Sequence, residues 1–205
     1  MKIYNFKQNT PEWYQIRKMK FTASNANTIL AQGKGLKTLI KKMLTEHYSS
    51  GNYEEYLNKF QNDHMKRGKE FEDKARAIYE LETGNEVIEV GFVERNEHIG
   101  CSPDGLVGKD GLIEIKNFCD DRFFDLMITG RIEKKYLDQM DMQMYVTERE
   151  WCDFFVFNPN FEKKPFFLTR IKRDEEKMQI IENALNNAVE KLLSEQERIE
   201  KLIVA

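Results

Sequence analysis

The stretch Ser102-Pro103-Asp104-Gly105-Leu106-Val107-Gly108-Lys109-Asp110-Gly111-Leu112-Ile113-Glu114-Ile115-Lys116-Asn117 carries the reading of this chain. Residues 112–117 alternate apolar and charged groups in the period of a β-strand. Period two then sends Ile113 and Ile115 to a core face and Glu114 and Lys116 to the opposite face. Gly108-Lys109-Asp110-Gly111 supplies a turn before that strand. The nine residues between Asp104 and Glu114 can therefore form a tight hairpin that returns the chain beside residues 102–104. Asp104 then reaches the same space as Glu114 and Lys116.

Outward from this stretch the periodicity changes. Upstream, residues 86–93 (Glu-Val-Ile-Glu-Val-Gly-Phe-Val) and 99–102 read as strands. Before them the pattern is helical. Thr10-Pro11-Glu12 has the order of cap, first residue and first-turn acid for a helix over 11–18. Thr22 is placed to cap a second helix reaching about residue 30, with Ser24 in its first turn. Leu36, Leu39, Ile40, Met43, Leu44 and Tyr48 recur at helical spacing, with Lys37, Lys41 and Lys42 on the other side. A longer helix is expected over 65–82, burying Phe71, Ala75, Ile78 and Tyr79 and ending near Gly84-Asn85. Downstream come a polar helical region over 132–146, strands over 151–157 and 166–172, and a closing amphipathic helix marked by Met178, Ile181, Leu185, Val189 and Leu192. This order predicts a mixed α/β (α+β) fold with a central mixed sheet flanked by helices.

Composition bounds the rest. With 205 residues, 40% of them hydrophobic, the chain can bury one sizeable core. No repeat, low-complexity tract or linker divides it, so a single domain over 1–205 is expected. No apolar run is long enough to span a bilayer, and the start MKIYNFKQNTPEW lacks the features of a signal peptide. A cytoplasmic protein is the expectation. Cys101, Cys119 and Cys152 occur singly; reduced thiols are expected, and three cannot complete a four-thiolate metal site. A net charge of −3 argues against a general polyanion binder but not against DNA, because positive residues can gather on one face.

Two carboxylates about one ion apart form a hard oxygen site suited to Mg²⁺, which keeps waters and takes further ligands from substrate phosphates. An adjacent lysine can orient or deprotonate a water and stabilise an oxyanion. The chemistry these residues point to is phosphodiester hydrolysis. Taken singly, Pro-Asp-Gly is a common turn and Glu-x-Lys a common solvated strand face; their combination at this spacing is what points to a site.

These residues resemble the restriction-endonuclease-like PD-(D/E)xK nuclease superfamily. More narrowly, they resemble the lambda exonuclease type of phage alkaline exonuclease, the YqaJ-like viral recombinase family. The likeness extends to Trp13 with Arg17, Phe21-Thr22-Ala23-Ser24, Gly68-Lys69-Glu70-Phe71-Glu72, Cys101-Ser102-Pro103-Asp104-Gly105-Leu106, Glu114-Ile115-Lys116, and Gln139 followed by Met144-Tyr145-Val146-Thr147. By position, the resemblance implies Asp104 and Glu114 as metal ligands, the Ile115 carbonyl as a backbone ligand, and Lys116 as the catalytic lysine. Gln139 is implied as an active-site residue, and Glu72 as the carboxylate for a second metal. Glu70 competes with Glu72 for that role. Arg17 and Ser24 match the family's pocket for a 5′-terminal phosphate. Asp141 stands where the family often has a second glutamine, which leaves the role of that helix open.

The family's activity implies a Mg²⁺-dependent 5′-to-3′ exonuclease on double-stranded DNA ends, using two Mg²⁺ ions, with Mn²⁺ as a substitute, and leaving a 3′ overhang for recombination by strand annealing. It also implies a homotrimeric ring, a single-strand annealing protein as partner, and a phage or prophage origin in the bacterial host cytoplasm. A dimeric endonuclease or resolvase of the same superfamily, and a non-catalytic DNA-end-binding or scaffold protein on a nuclease fold, are the alternatives.

Overall fold

The computed structural model describes residues 1–49 and 63–204, the side chains of 63–70 and of 204 excepted. Among the described residues, seven α-helices and nine strands follow one another. They are β1 (Lys2–Tyr4), α1 (Pro11–Arg17), β2 (Phe21–Thr22), α2 (Ala26–Ala31), α3 (Lys34–Tyr48), α4 (Asp63–Thr83), β3 (Val87–Ile88), β4 (Phe92–Asn96), β5 (Ile99–Cys101), β6 (Gly105–Val107), β7 (Gly111–Asn117), α5 (Asp120–Thr129), α6 (Lys134–Thr147), β8 (Trp151–Phe157), β9 (Phe166–Lys172) and α7 (Glu175–Val204). The mixed α/β class expected from the sequence is the one observed, with the strands divided between two mixed sheets. One has the order β1-β4-β5-β2 and the other β3-β6-β7-β8-β9.

The larger sheet explains the hairpin. β6 runs antiparallel to β7, with Gly105 opposite Ile113 and Val107 opposite Gly111; β7 then runs parallel to β8, with Glu114 opposite Phe154. Gly108, in the turn, takes a φ of 53°, a conformation a side chain would strain. Gly111 is required for a different reason: a Cβ there would overlap the Trp151 ring on the neighbouring strand. β7 has its first five residues buried because both faces of the sheet are covered. On one face Ile113 and Ile115 pack with Val107, Phe155, Phe157 and, from α4, Ala75 and Tyr79. On the other, Leu112 packs with Cys152, Phe154, Val156 and the α6 residues Met140 and Met144. Phe154 and Phe155, fully buried to opposite sides, each contribute roughly 1.5–3 kcal/mol of apolar burial.

The face under α4 also holds one ionic group. Asp153 is 2% exposed and accepts from Tyr79 Oη at 2.8 Å and from Arg170 Nε and Nη2 at 2.7 and 2.8 Å. The Arg170 guanidinium in turn lies 3.4 Å from the Trp151 ring centroid. A buried carboxylate is tolerable here because three donors replace water.

Several local expectations change. Thr22 stands at the N-cap of a 3₁₀ turn over Ala23–Asn25 that leads into α2 and contains Ser24, but its side chain makes no capping bond; it also ends β2, whose parallel pairing with Ile99 and Gly100 holds it extended. The strand expected over 86–93 splits into β3 and β4, which join different sheets. The polar region over 132–146 is indeed helical, but it is buried from Met140 to Thr147, touching both sheets, α2 and α7. Its polar side chains have partners: Asp138 receives Asn27 and Lys134, and Asp141 receives Lys177 at 3.0 Å. No described helix is long and apolar enough to cross a membrane.

Candidate active site

Strand β7 positions the centre. Pleating turns Glu114 toward α6, where it is wholly buried, while Lys116 follows on the same face at 25% exposure. The Lys116 ammonium is bonded directly to Glu114 Oε1. Asp104, in the loop before β6, reaches across the hairpin so that its Oδ2 accepts the Ile115 N–H at 2.6 Å. Asp104, Glu114 and Lys116 therefore share one space, as the spacing in the sequence demands.

Helix α6 closes the back of this space. Gln139 Nε2 donates to Glu114 Oε1 at 2.6 Å and Gln143 Nε2 to Oε2 at 2.7 Å. The two glutamines are four residues apart and so project from one side of the helix. Gln143 is fully buried and was not singled out in the sequence; its i+4 relation to Gln139 is the signal that could have found it. Beside Lys116, the Tyr136 ring centroid lies 5.7 Å from Nζ, and the Tyr136 hydroxyl is held by Arg122 Nη2 at 2.6 Å.

The electrostatics follow from burial. Asp104 titrates well above the ordinary carboxylate range, first because it is removed from water and then because Glu114 stands nearby, with Lys116 opposing. Although burial disfavours the Lys116 charge, Glu114 and Asp104 hold its pKa above the usual lysine value. The site keeps an ammonium against crowded carboxylates. A buried and a half-buried carboxylate side by side form a donor set that fits an oxygen-preferring dication, and Glu114 and Asp104 are the residues that could hold one. Among the described residues, no three or more His, Cys, Asp or Glu side chains are grouped for an ion. Glu72 is instead bonded to Arg76 at 3.3 Å, although its charge is felt at Asp104. Its own pKa is raised, by burial foremost. The Glu70 side chain lies outside the described residues.

A second polar cluster adjoins the first. Trp13 Nε1 donates to Ser102 Oγ at 2.8 Å. Arg17 reaches the same hydroxyl at 3.3 Å and Thr22 Oγ1 at 3.4 Å, with its guanidinium 4.1 Å from the Trp13 ring centroid. Ser24 Oγ lies 3.1 Å from Thr22 Oγ1 and is exposed. Arg17 and Ser24 thus meet through Thr22, and Arg17 also reaches Ser102, two residues before Asp104. Among the groups here, Trp13 and Ser102 had no assigned role in the sequence, and Thr22 had only that of a helix cap. Only the folded chain shows that they connect the two clusters.

Comparison with known proteins shows the family. The model of the YqaJ-like viral recombinase domain matches residues 12–150. Two crystal structures of an alkaline exonuclease from Laribacter hongkongensis, LHK-Exo, one of them in complex with dAMP, are 32% identical to this chain. Each match covers 95% of it and 98% of the other chain, with TM-scores of 0.86 and 0.87. A phage related exonuclease from Haemophilus somnus 129PT is 18% identical over 86% of this chain and 96% of its own, with a TM-score of 0.59, and shares the fold. No curated protein sequence matches. With its PD-(D/E)xK-like fold and most of its length within the matched region, the chain belongs to the YqaJ-like viral recombinase family.

Proposed function

We propose that this protein is a Mg²⁺-dependent exonuclease that degrades one strand of double-stranded DNA from its 5′ end and leaves a 3′ overhang for recombination by strand annealing. The observation that carries this reading is the meeting of Asp104, Glu114 and Lys116 in one glutamine-backed space. The likeness to LHK-Exo, an alkaline exonuclease, supports the exonuclease class.

In this reading Asp104, Glu114 and the Ile115 carbonyl hold one ion, and Glu72 serves a second. Such ions would supply charge neutralisation at the phosphate and acidify a water. Lys116 is placed to orient a water and to stabilise a developing oxyanion. Gln139 and Gln143 fix the Glu114 carboxylate, so that little reorganisation is needed as charge develops. Arg17 and Ser24, with Ser102 between the clusters, receive the terminal 5′ phosphate, the guanidinium offering paired donors.

The Arg17 pocket favours exonuclease over endonuclease action, because an internal cut presents no terminal phosphate. The comparison that tests it uses linear duplex with a 5′ phosphate, the same duplex without it, and covalently closed circles. Rapid loss of the phosphorylated linear form and survival of the circle are expected; efficient cutting of the circle overturns the reading. A homotrimeric ring and a single-strand annealing partner belong to the same proposal. A ring would let an acidic chain present positive charge only along its channel.

A further inference from the structure

The loop that carries Asp104 is held from outside by the first residues of the chain. Gln8 Nε2 donates to the Pro103 carbonyl at 3.0 Å and to the Val90 carbonyl at 3.2 Å. One amide thus ties the residue before Asp104 to the entry of β4. The segment bearing Gln8 is itself fixed. The Gly91 N–H donates to Tyr4 O at 2.8 Å, and a Cβ on Gly91 would overlap the Phe6 backbone, so the chain crosses there in close contact. After Asn9, whose φ of 64° turns the chain toward α1, the helix adds its own hold on the loop: Trp13 and Arg17 both reach Ser102.

We infer that Gln8 is a positioning residue for Asp104: its paired donation to Pro103 and Val90 fixes the loop so that the carboxylate meets the Ile115 N–H and the ion-holding space. This rests on the reading of Asp104 as a metal ligand. The chemistry is specific to a group with two donors. A carboxylate of the same shape offers none and repels both carbonyls, and a thioether of similar length leaves both without a partner. Gln8 touches neither Asp104 nor any reacting group, so its effect passes through the backbone.

The test compares wild type with Gln8→Glu and Gln8→Met. Mn²⁺ is titrated into the whole protein without DNA and followed by paramagnetic resonance of the free ion, alongside thermal unfolding and binding of a 5′-phosphorylated duplex in Ca²⁺. Loss of two neutral hydrogen bonds that orient one ligand predicts a Mn²⁺ dissociation constant raised roughly tenfold. Duplex affinity should stay within twofold, and excess Mg²⁺ should restore most of the hydrolysis rate. If Gln8→Met melts more than about ten degrees below wild type, Gln8→Asn, with its amide on a shorter arm, is read by the same criteria. A folded variant with unchanged Mn²⁺ affinity overturns the inference and leaves the nuclease reading intact. Wild-type protein that binds no Mn²⁺ overturns the metal site itself.

Discussion

Replacing Gln143 by Leu separates a hydrogen-bonded carboxylate from a merely buried one. In the folded chain Glu114 Oε2 accepts from Gln143 Nε2 at 2.7 Å, in a position with no exposure at either residue. Leu nearly preserves volume, so the cost is that of an anion losing a buried donor, about 2 kcal/mol from the 1.5–3 kcal/mol of a charged hydrogen bond. For a chain of this length each kcal/mol moves the midpoint by roughly 2–4 °C, giving a fall of about 4–8 °C. Gln139→Leu removes a donor of similar length, 2.6 Å, but from a half-buried position beside Lys116, where water and the ammonium can compensate. Its cost should stay under about 1 kcal/mol. Differential scanning calorimetry of both variants, with and without Mg²⁺ at about ten times its Kd, is the assay. Mg²⁺ should narrow the Gln143→Leu deficit, because an ion would occupy the carboxylate. Equal losses in the two variants, or a Gln143→Leu midpoint within one degree of wild type, would refute the view that α6 acts as a polar support for Glu114.

Other expectations follow from the same packing. Gly111→Ala should destabilise the fold by about 1–3 kcal/mol, because the new methyl overlaps the Trp151 ring and the parallel pairing of β7 and β8 prevents retreat; urea unfolding measures it. Arg170→Met should cost roughly 2 kcal/mol, less than for a fully buried pair because Arg170 is 44% exposed, since Asp153 then keeps only Tyr79. Tyr79→Phe should cost less, about 1 kcal/mol, because the bidentate arginine remains. Asp141 has its pKa raised, by burial above all and against the pull of Lys177. A raised folded-state value means stability is fullest below the unfolded value of about 3.9 and is lost as pH rises through the folded pKa. Asp141→Asn should therefore be as stable as wild type or more so at pH 7, with the difference shrinking as the pH falls toward 4; a variant clearly less stable at pH 7 contradicts this.

The strands 151–157 and 166–172 stood in the sequence with the bounds they have in the fold, the first as a nearly continuous apolar run and the second as an alternating one, each with a clear break at both ends. The hairpin that brings Asp104 to Glu114 was legible in its turn and in its second strand to within one residue, but its first arm, β6, was not. What escaped was structure made by pairing. β1 and β2 have three and two residues, too short for any period, and exist because β4 and β5 accept them. α5 escaped although Asp120, Asp121 and Gly130 mark its ends. The polar composition of α6 concealed its burial, which is possible only because Asp138, Asp141, Gln139 and Gln143 all find partners after folding. In the site, residues on one strand were legible through their spacing. Ser102 and Gln143 were not, since their importance lies in contacts across 89 and 29 positions; Thr22 was not, because its side chain meets Arg17 and Ser24 only after β2 forms.

The central claim is that Asp104, Glu114 and Lys116 form a metal-dependent hydrolytic centre. The most direct measurement is digestion of end-labelled, 5′-phosphorylated duplex by wild type, Asp104→Ala and Lys116→Ala, each in Mg²⁺ and in Ca²⁺, with folding checked by circular dichroism. The expected result is degradation by wild type in Mg²⁺ alone, binding without turnover in Ca²⁺, and a rate at least 10³-fold lower in both variants. Folded Asp104→Ala or Lys116→Ala protein that degrades the duplex at the wild-type rate would contradict the assignment.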